Sequence, residues 1–328
     1  MTYTRANHGP AALPLLGAVL LAAGLCAYPT RALADAPKDA WPALLRRDLA
    51  RVAHIEWRLR GAAGTACPRQ AADAGIAFDD RRAYQKRDWP LLATSLKMAE
   101  RPVIVSVAPG SPADLAGLHE GDEVLAIGGV PSDTIIARRN AGSLVSDALL
   151  DEIGQAAPGS ALTFDLRRDG AVLHVAVRPV THCAVRLVLF TDRKVEAHSD
   201  TRNVAISTGM LAFARTDDEL ALAAGHEVAH VINGDRRGAP AKVRRGMEDA
   251  ADALGLRLME CAGYSRATGI TLFERLGSRD WLGFLRARTH RSWKARTESL
   301  RAMPPGTMCL STTCRTGFNA CPESFSRR

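Results

Sequence analysis

The first readable pattern is a helical one. From about Asp39 to Arg60, Trp41, Leu44, Leu45, Leu49, Val52, Ile55 and Leu59 recur at helical spacing with arginines on the other faces, which predicts an amphipathic helix docked on the body of the protein. Gly61 to Gly75 interrupts that pattern and reads as a linker. Val103 to Val107 then reads as a strand, followed by the turn Pro109-Gly110-Ser111-Pro112, a short helix, and a second strand from Val124 to Ile127 entered through Gly121-Asp122. Ser146 to Ala156 has helical character, and Ala161 to Arg167 with Ala171 to Val177 forms a hairpin about Asp169-Gly170. Further on, Asn203 to Leu211 opens as a strand, and a helix is predicted over Asp217 to Ile232 with Leu220, Ala224, Val228 and Val231 as its apolar stripe. Thr216 with Glu219 reads as a capping box, Asp217 and Asp218 suit the positive end of the dipole, and Asn233-Gly234 is the stop. A further helix carries Met247, Ala251, Leu254 and Leu258 and ends near Gly263.

The first of these last two helices carries His226-Glu227-Val228-Ala229-His230. Histidines four residues apart project from one face, with Glu227 beside both, so the segment offers two zinc ligands and a carboxylate next to the metal. The plain alternative is a helix with two surface histidines. Glu248 and Asp252, one turn apart on the next helix, change that balance. A two-histidine, one-carboxylate zinc takes its third ligand from another element, and Glu248 is the candidate; Asp252 is the candidate acceptor for the remaining ring N–H of a ligand histidine. One Zn2+ on His226, His230 and Glu248 leaves a position for water, and Glu227 is the natural base.

The pair HEVAH and EDAAD resembles the signatures of the gluzincin endopeptidases related to the CAAX prenyl proteases and HtpX. Asn203 to Leu211 and Asp218-Glu219-Leu220 resemble further pieces of that family, as do Thr289-His290 and Arg296, with Arg291 where proline is usual; the likeness covers about residues 184 to 303. It implies a zinc metalloendopeptidase in which Asn203, Val204, Ala205, Ile206 and Ser207 form the substrate edge strand, and Arg296 and His290 are catalytic groups helping the developing oxyanion. His290 has a second implied role as a fourth ligand holding a latent state.

Val103 to Pro131 resembles a bacterial PDZ domain, with Ser146 to Ala156 as its groove helix and Gly75 to Phe78 as a Gly-x-x-Phe loop for a peptide carboxylate; Asp79 to Arg101 is then an insert. That likeness implies capture of a C-terminal peptide by strand addition, or a PDZ fold kept as spacer or lid.

Composition is globular, 47% apolar and 24% charged, and the charge of +8 rests mostly on arginine. Aromatics are 5% without a basic, aromatic-interleaved motif, which argues for solvated surface and against nucleic acid. Arg5 and His8, the apolar run Ala11 to Ala27 and Ala32-Leu33-Ala34 read as a secretory signal cut after Ala34; Cys26 fits a lipoprotein acceptor poorly. No later run has the length of a membrane span, so a periplasmic or secreted chain without a transmembrane helix is expected. Cys67, Cys183, Cys261, Cys309, Cys314 and Cys321 then allow fifteen complete disulfide pairings.

The expected architecture is α+β and two-domain. A signal peptide occupies 1–34, a helix and linker 35–73, a PDZ-like barrel or sandwich 74–182, a mainly helical zincin domain with a small edge-strand sheet 183–303, and a cysteine-containing tail 304–328. The expected function is a zinc endopeptidase acting on unfolded or misassembled exported polypeptides. The competing expectation is a PDZ-based binding or chaperone-like module with a latent or structural zinc site.

Overall fold

The computed structural model describes residues 40–235, 239–279, 291–304 and 309. The expected signal segment, Cys26, His290, Cys314 and Cys321 lie outside the described residues. In chain order the elements begin with α1 (Trp41–Ala63), β1 (Gln70–Asp73), β2 (Ile76–Asp79), α2 (Trp89–Leu96), β3 (Val103–Val107), α3 (Pro112–Leu115), β4 (Glu123–Ile127) and β5 (Val130–Pro131). They continue with α4 (Ser132–Arg138), α5 (Val145–Gly154), β6 (Leu162–Arg168), β7 (Ala171–Val177), β8 (Val180–Cys183), β9 (Arg186–Phe190), β10 (Ala197–Ser199) and β11 (Asn203–Ser207). The last five are helices: α6 (Thr208–Phe213), α7 (Asp217–Asn233), α8 (Ala241–Cys261), α9 (Arg266–Arg279) and α10 (Trp293–Ala302).

Two large cores organise the described residues. The first lies between 74 and 177 and joins Ile104, Val124, Ile127, Phe164 and Leu166 of the strands to Val145, Leu149 and Ile153 of α5. Its sheet has the order β2-β3-β4-β6-β7, with β5 paired on β4. The β6–β7 hairpin turns at Asp169-Gly170, both with positive φ (49° and 86°), as a two-residue turn matched to strand twist requires. The Asp79 to Arg101 insert holds α2 and a small core of Leu92, Leu96 and Met98 against Val103.

The second core is not confined to the C-terminal half. Val52, Ile55 and Leu59 of α1 are buried with Leu187, Leu189, Val204, Ile206, Leu220, Ala224, Val228, Leu256 and Met259. The amphipathic stripe identified which face of α1 is apolar; the structure supplies the partner. The expected 61–75 linker is also structured: α1 runs to Ala63, and β1 pairs antiparallel with β8, Gln70 opposite Cys183 and Asp73 opposite Val180. A disulfide joins Cys67 to Cys183 beside that ladder. The first domain is therefore inserted into the second, its two ends drawn together where chain leaves and returns, the geometry that makes domain insertion tolerable. A second disulfide joins Cys261 to Cys309.

In the second domain, β9, β11 and β10 form a three-stranded sheet with β11 in the middle, parallel to β9 and antiparallel to β10. This corrects one expectation. Asn203, Val204, Ala205, Ile206 and Ser207 do form a strand, but neighbours pair with both its edges, so it is not the substrate edge strand. The outer positions belong to β9 and to Ala197–Ser199, a three-residue strand too short and polar to show an alternating pattern. Among the described residues no helix is long and apolar enough to cross a membrane.

Candidate metal centre and peptide groove

Helix α7 is fixed at both ends by its own sequence. The Thr216 side chain accepts from the Glu219 N–H at 3.3 Å, the Glu219 carboxylate accepts from the Arg215 N–H at 2.6 Å, and Gly234 closes the helix in the left-handed region at φ 67°. Glu219 is itself buried and accepts from Thr271 Oγ1 and Arg275 Nη2, each at 2.6 Å, which ties α9 to the start of α7. One helix further, Gly225 and Gly255 let α7 and α8 approach: a Cβ on Gly225 would stand 2.8 Å from the Gly255 carbonyl oxygen. Neither glycine drew notice in the sequence, yet this contact brings the α8 carboxylates to the α7 histidines.

The structure brings His226, His230 and Glu248 together. His226 Nε2 lies 3.1 Å from His230 Nε2 and 3.3 Å from Glu248 Oε2, and His230 Nε2 lies 3.5 Å from the same oxygen. These three groups could hold a metal ion. Behind each ring stands a carboxylate: His226 Nδ1 is 2.9 Å from Asp252 Oδ1 and His230 Nδ1 is 2.7 Å from Asp235 Oδ2. A carboxylate on Nδ1 assigns the proton to that nitrogen and turns the Nε2 lone pair into the triangle. Asp235 was missed in the sequence because a single acid just past a helix stop carries no pattern.

Three lone-pair donors facing one another require positive charge among them. Burial alone lowers the His226 pKa, but hydrogen bonds to Asp252 and Glu248 outweigh it and raise it to about 9. His230 is also raised, its burial opposed chiefly by the hydrogen bond to Glu248. Asp252 is lowered despite burial, through hydrogen bonds from Arg296 and His226.

Arg296 is placed differently from the expectation. It donates to Asp252 Oδ2 from Nε at 2.7 Å and to Oδ1 from Nη2 at 2.5 Å, is 5% exposed, and is sandwiched over Phe273 and Trp293 at 4.3 and 4.6 Å. Its guanidinium is taken up by Asp252, the carboxylate that faces His226 Nδ1, which is where the structure places the residue expected to help an oxyanion. Arg291 grips Asp249 through Nε and Nη2 at 2.8 to 3.0 Å. Glu227 follows His226 on α7, and its Oε2 accepts from the Ser199 hydroxyl of β10 at 2.8 Å.

In the first domain, the outer edge of β2 and the first turn of α5 form a groove that begins at Gly75 and contains Ile76, Phe78, Val145 and Leu150. Its other wall comes from the second domain, with Glu56 of α1 and Leu187 and Leu189 of β9 among the lining residues.

Residues 103–140 match the PDZ domain family. The first domain is a PDZ domain. No sequence relative is found among curated proteins. Similar solved structures include an HtrA-type protease AlgW with decapeptide (19% identity, 34% of this chain and 30% of that one, TM-score 0.26) and a serine endoprotease from Yersinia pestis (25% identity, 24% and 25%, TM-score 0.20). A third is the HtrA3 PDZ domain bound to the phage-derived ligand FGRWV (20% identity, 34% of this chain and 88% of that one, TM-score 0.25). The chain spans less than a third of the two proteases.

The second domain forms one side of the PDZ groove. The space left between the groove and the second domain is about 120 Å³, below the roughly 300–1,000 Å³ of small-molecule sites. Arg186 of β9 crosses to α5, 2.8 Å from Asp151 Oδ1, and donates to the Asp147 carbonyl at 3.3 Å. Burial raises the Glu56 carboxyl to about 7 against the pull of Arg60, and the Leu187 N–H on the outer edge of β9 donates to it.

Proposed function

We propose that the chain is a zinc-dependent endopeptidase cleaving extended segments of unfolded or misassembled exported polypeptides, with its PDZ domain recruiting or gating them. The observation carrying this reading is the triangle of His226 Nε2, His230 Nε2 and Glu248 Oε2. Its sides of 3.1, 3.3 and 3.5 Å match the spacing of about 3.3 Å that tetrahedral zinc with bonds of about 2.0–2.1 Å sets between ligand atoms. Two imidazoles and one carboxylate from two helices are also the donor chemistry of catalytic zinc.

When bound, zinc would supply Lewis acidity and a water of lowered pKa. The remaining work falls to the chain. Asp252 and Asp235 hold the rings of His226 and His230 in the ligating tautomer, and Arg296 holds Asp252. Glu227 accepts the proton of the attacking water and delivers it to the leaving amine. The outer edge of β10, one strand from β11 and packed on α7, offers backbone groups to an extended polypeptide. The two disulfides among the described residues suit an oxidising, exported setting.

Metal analysis with casein digestion, with and without chelator, tests this reading. Glu227→Gln should keep its zinc and lose cleavage; normal cleavage by that variant rejects Glu227 as base, and absence of chelator-sensitive cleavage by the zinc-loaded chain rejects the enzyme. The PDZ match favours a second reading, a peptide-binding module whose metal is structural. It stands if the loaded chain never cleaves but binds peptide through the groove.

A further inference from the structure

Ser199 had no place in the sequence reading, yet its hydroxyl is 2.8 Å from Glu227 Oε2, across 28 residues of chain. A glutamate has three side-chain torsions, and the last is broad, so its carboxylate has no fixed direction unless something holds it. Ser199 is itself held. It is the last residue of β10, opposite Val204 of β11. The turn that follows is closed by Asp200, whose Oδ1 accepts from the N–H groups of Arg202 and Asn203 at 2.6 and 2.7 Å and whose N–H donates to the Asn203 carbonyl at 2.9 Å. The neighbouring His198 packs its ring on Phe190, centroids 5.4 Å apart, which secures the strand to β9.

We propose that Ser199 is a positioning residue for the peptidase chemistry: its hydroxyl fixes Oε2 of Glu227 and so turns Oε1 to the proton of the attacking water. The inference rests on the reading of Glu227 as general base. No bond is made or broken at Ser199; the proton moves from water to Glu227 and then to the amine, while the Ser199 O–H keeps its own proton and donates throughout. The same outer strand of the β10-β11-β9 sheet therefore orients the base, so β10 links the edge proposed to pair an extended chain to the group that acts on it.

The test uses the full zinc-loaded chain and a fluorogenic peptide, comparing wild type, Ser199→Ala, Ser199→Thr and both alanine and parent forms in a Glu227→Gln background. Ser199→Ala should lower kcat by about tenfold or more, the worth of one hydrogen bond to a charged group. KM, zinc stoichiometry and Tm should stay at wild-type values, and Ser199→Thr, which keeps the hydroxyl, should restore kcat. In Glu227→Gln the alanine substitution should cost nothing further, because residues acting as one unit are not additive. An unchanged kcat in Ser199→Ala, or a loss that tracks Tm or zinc content instead, overturns the proposal. A wild-type chain with no zinc-dependent cleavage sinks the peptidase reading and this inference together; an active wild type with an indifferent Ser199→Ala sinks only this one.

Discussion

Gly225 and Gly255 meet backbone to backbone at the point where α7 crosses α8: a Cβ on Gly255 would lie 2.6 Å from the His226 nitrogen and 2.8 Å from the Gly225 carbonyl carbon. The atoms in the way are main chain, so no side chain can swing aside. Gly255 sits one turn beyond Asp252 on the same helix, and displacement of α8 moves Asp252 and Glu248 with it. Gly255→Ala should destabilise the chain by about 1–3 kcal/mol through overpacking and weaken zinc by about 10–100-fold, as loss of ligand support does. Competition with a chelating dye checks this, and an unaltered zinc affinity would show that the helix contact does not set the ligand triangle.

The buried pair of Asp252 and Arg296 gives a second test. Both are almost fully buried, so deletion of Arg296 leaves a carboxylate with His226 as a remaining hydrogen-bond partner. Arg296→Met, which keeps an apolar stem over Phe273 and Trp293, should cost about 3–5 kcal/mol. Zinc affinity should fall, while turnover per bound zinc stays near wild type, because Arg296 stands behind the ligand and not at the substrate. A loss of turnover at full zinc occupancy would return Arg296 to the catalytic role that its motif suggested.

Much of this was legible in the chain. The 3.6-residue stripes and the cap residues of α7, ending in Gly234, placed His226 and His230 on one face, and the spacing of Glu248 and Asp252 put both on one face of α8. What stayed hidden was partnership. The stripe of Val52, Ile55 and Leu59 looks the same whether α1 docks on its own domain or, as here, on the core formed by residues 183 to 300. Ser199 and Asp235 are ordinary polar residues in sequence and acquire meaning only from what lies opposite them. The identity of the outer strand depended on β10, whose three residues carry no periodicity.

Glu56 makes stability depend on pH. Its carboxyl is raised from 4.5 to about 7, mainly by burial. The folded state then holds a proton that the unfolded state has lost, so stability declines as pH rises through that window, by up to about 1.4 kcal/mol per unit, and levels off above it. Glu56→Gln removes the effect. Its Tm should match wild type near pH 4.5, exceed it increasingly up to about pH 7, and keep a constant lead beyond. Parallel melting curves for the two proteins across that range would refute the assignment.

The contact from Arg186 to Asp147 and Asp151 is a polar tie beside the PDZ groove, joining β9 of one domain to α5 of the other. Asp151 is largely exposed, so the ion pair is screened and contributes on the order of 0.2–1 kcal/mol. That small value suits a latch that must open. If the closed arrangement withholds the groove, the apparent affinity for a peptide is reduced by the fraction of molecules open, and a weaker latch raises that fraction. Arg186→Ala should therefore bind a fluorescein-labelled apolar pentapeptide with a free C-terminal carboxylate up to about fivefold more tightly than wild type, the factor corresponding to about 1 kcal/mol. Fluorescence anisotropy at low and high salt separates this from a direct contact. Salt should tighten wild-type binding by screening the latch and leave Arg186→Ala unmoved, whereas weaker binding by Arg186→Ala at every salt would mean that Arg186 holds the peptide itself.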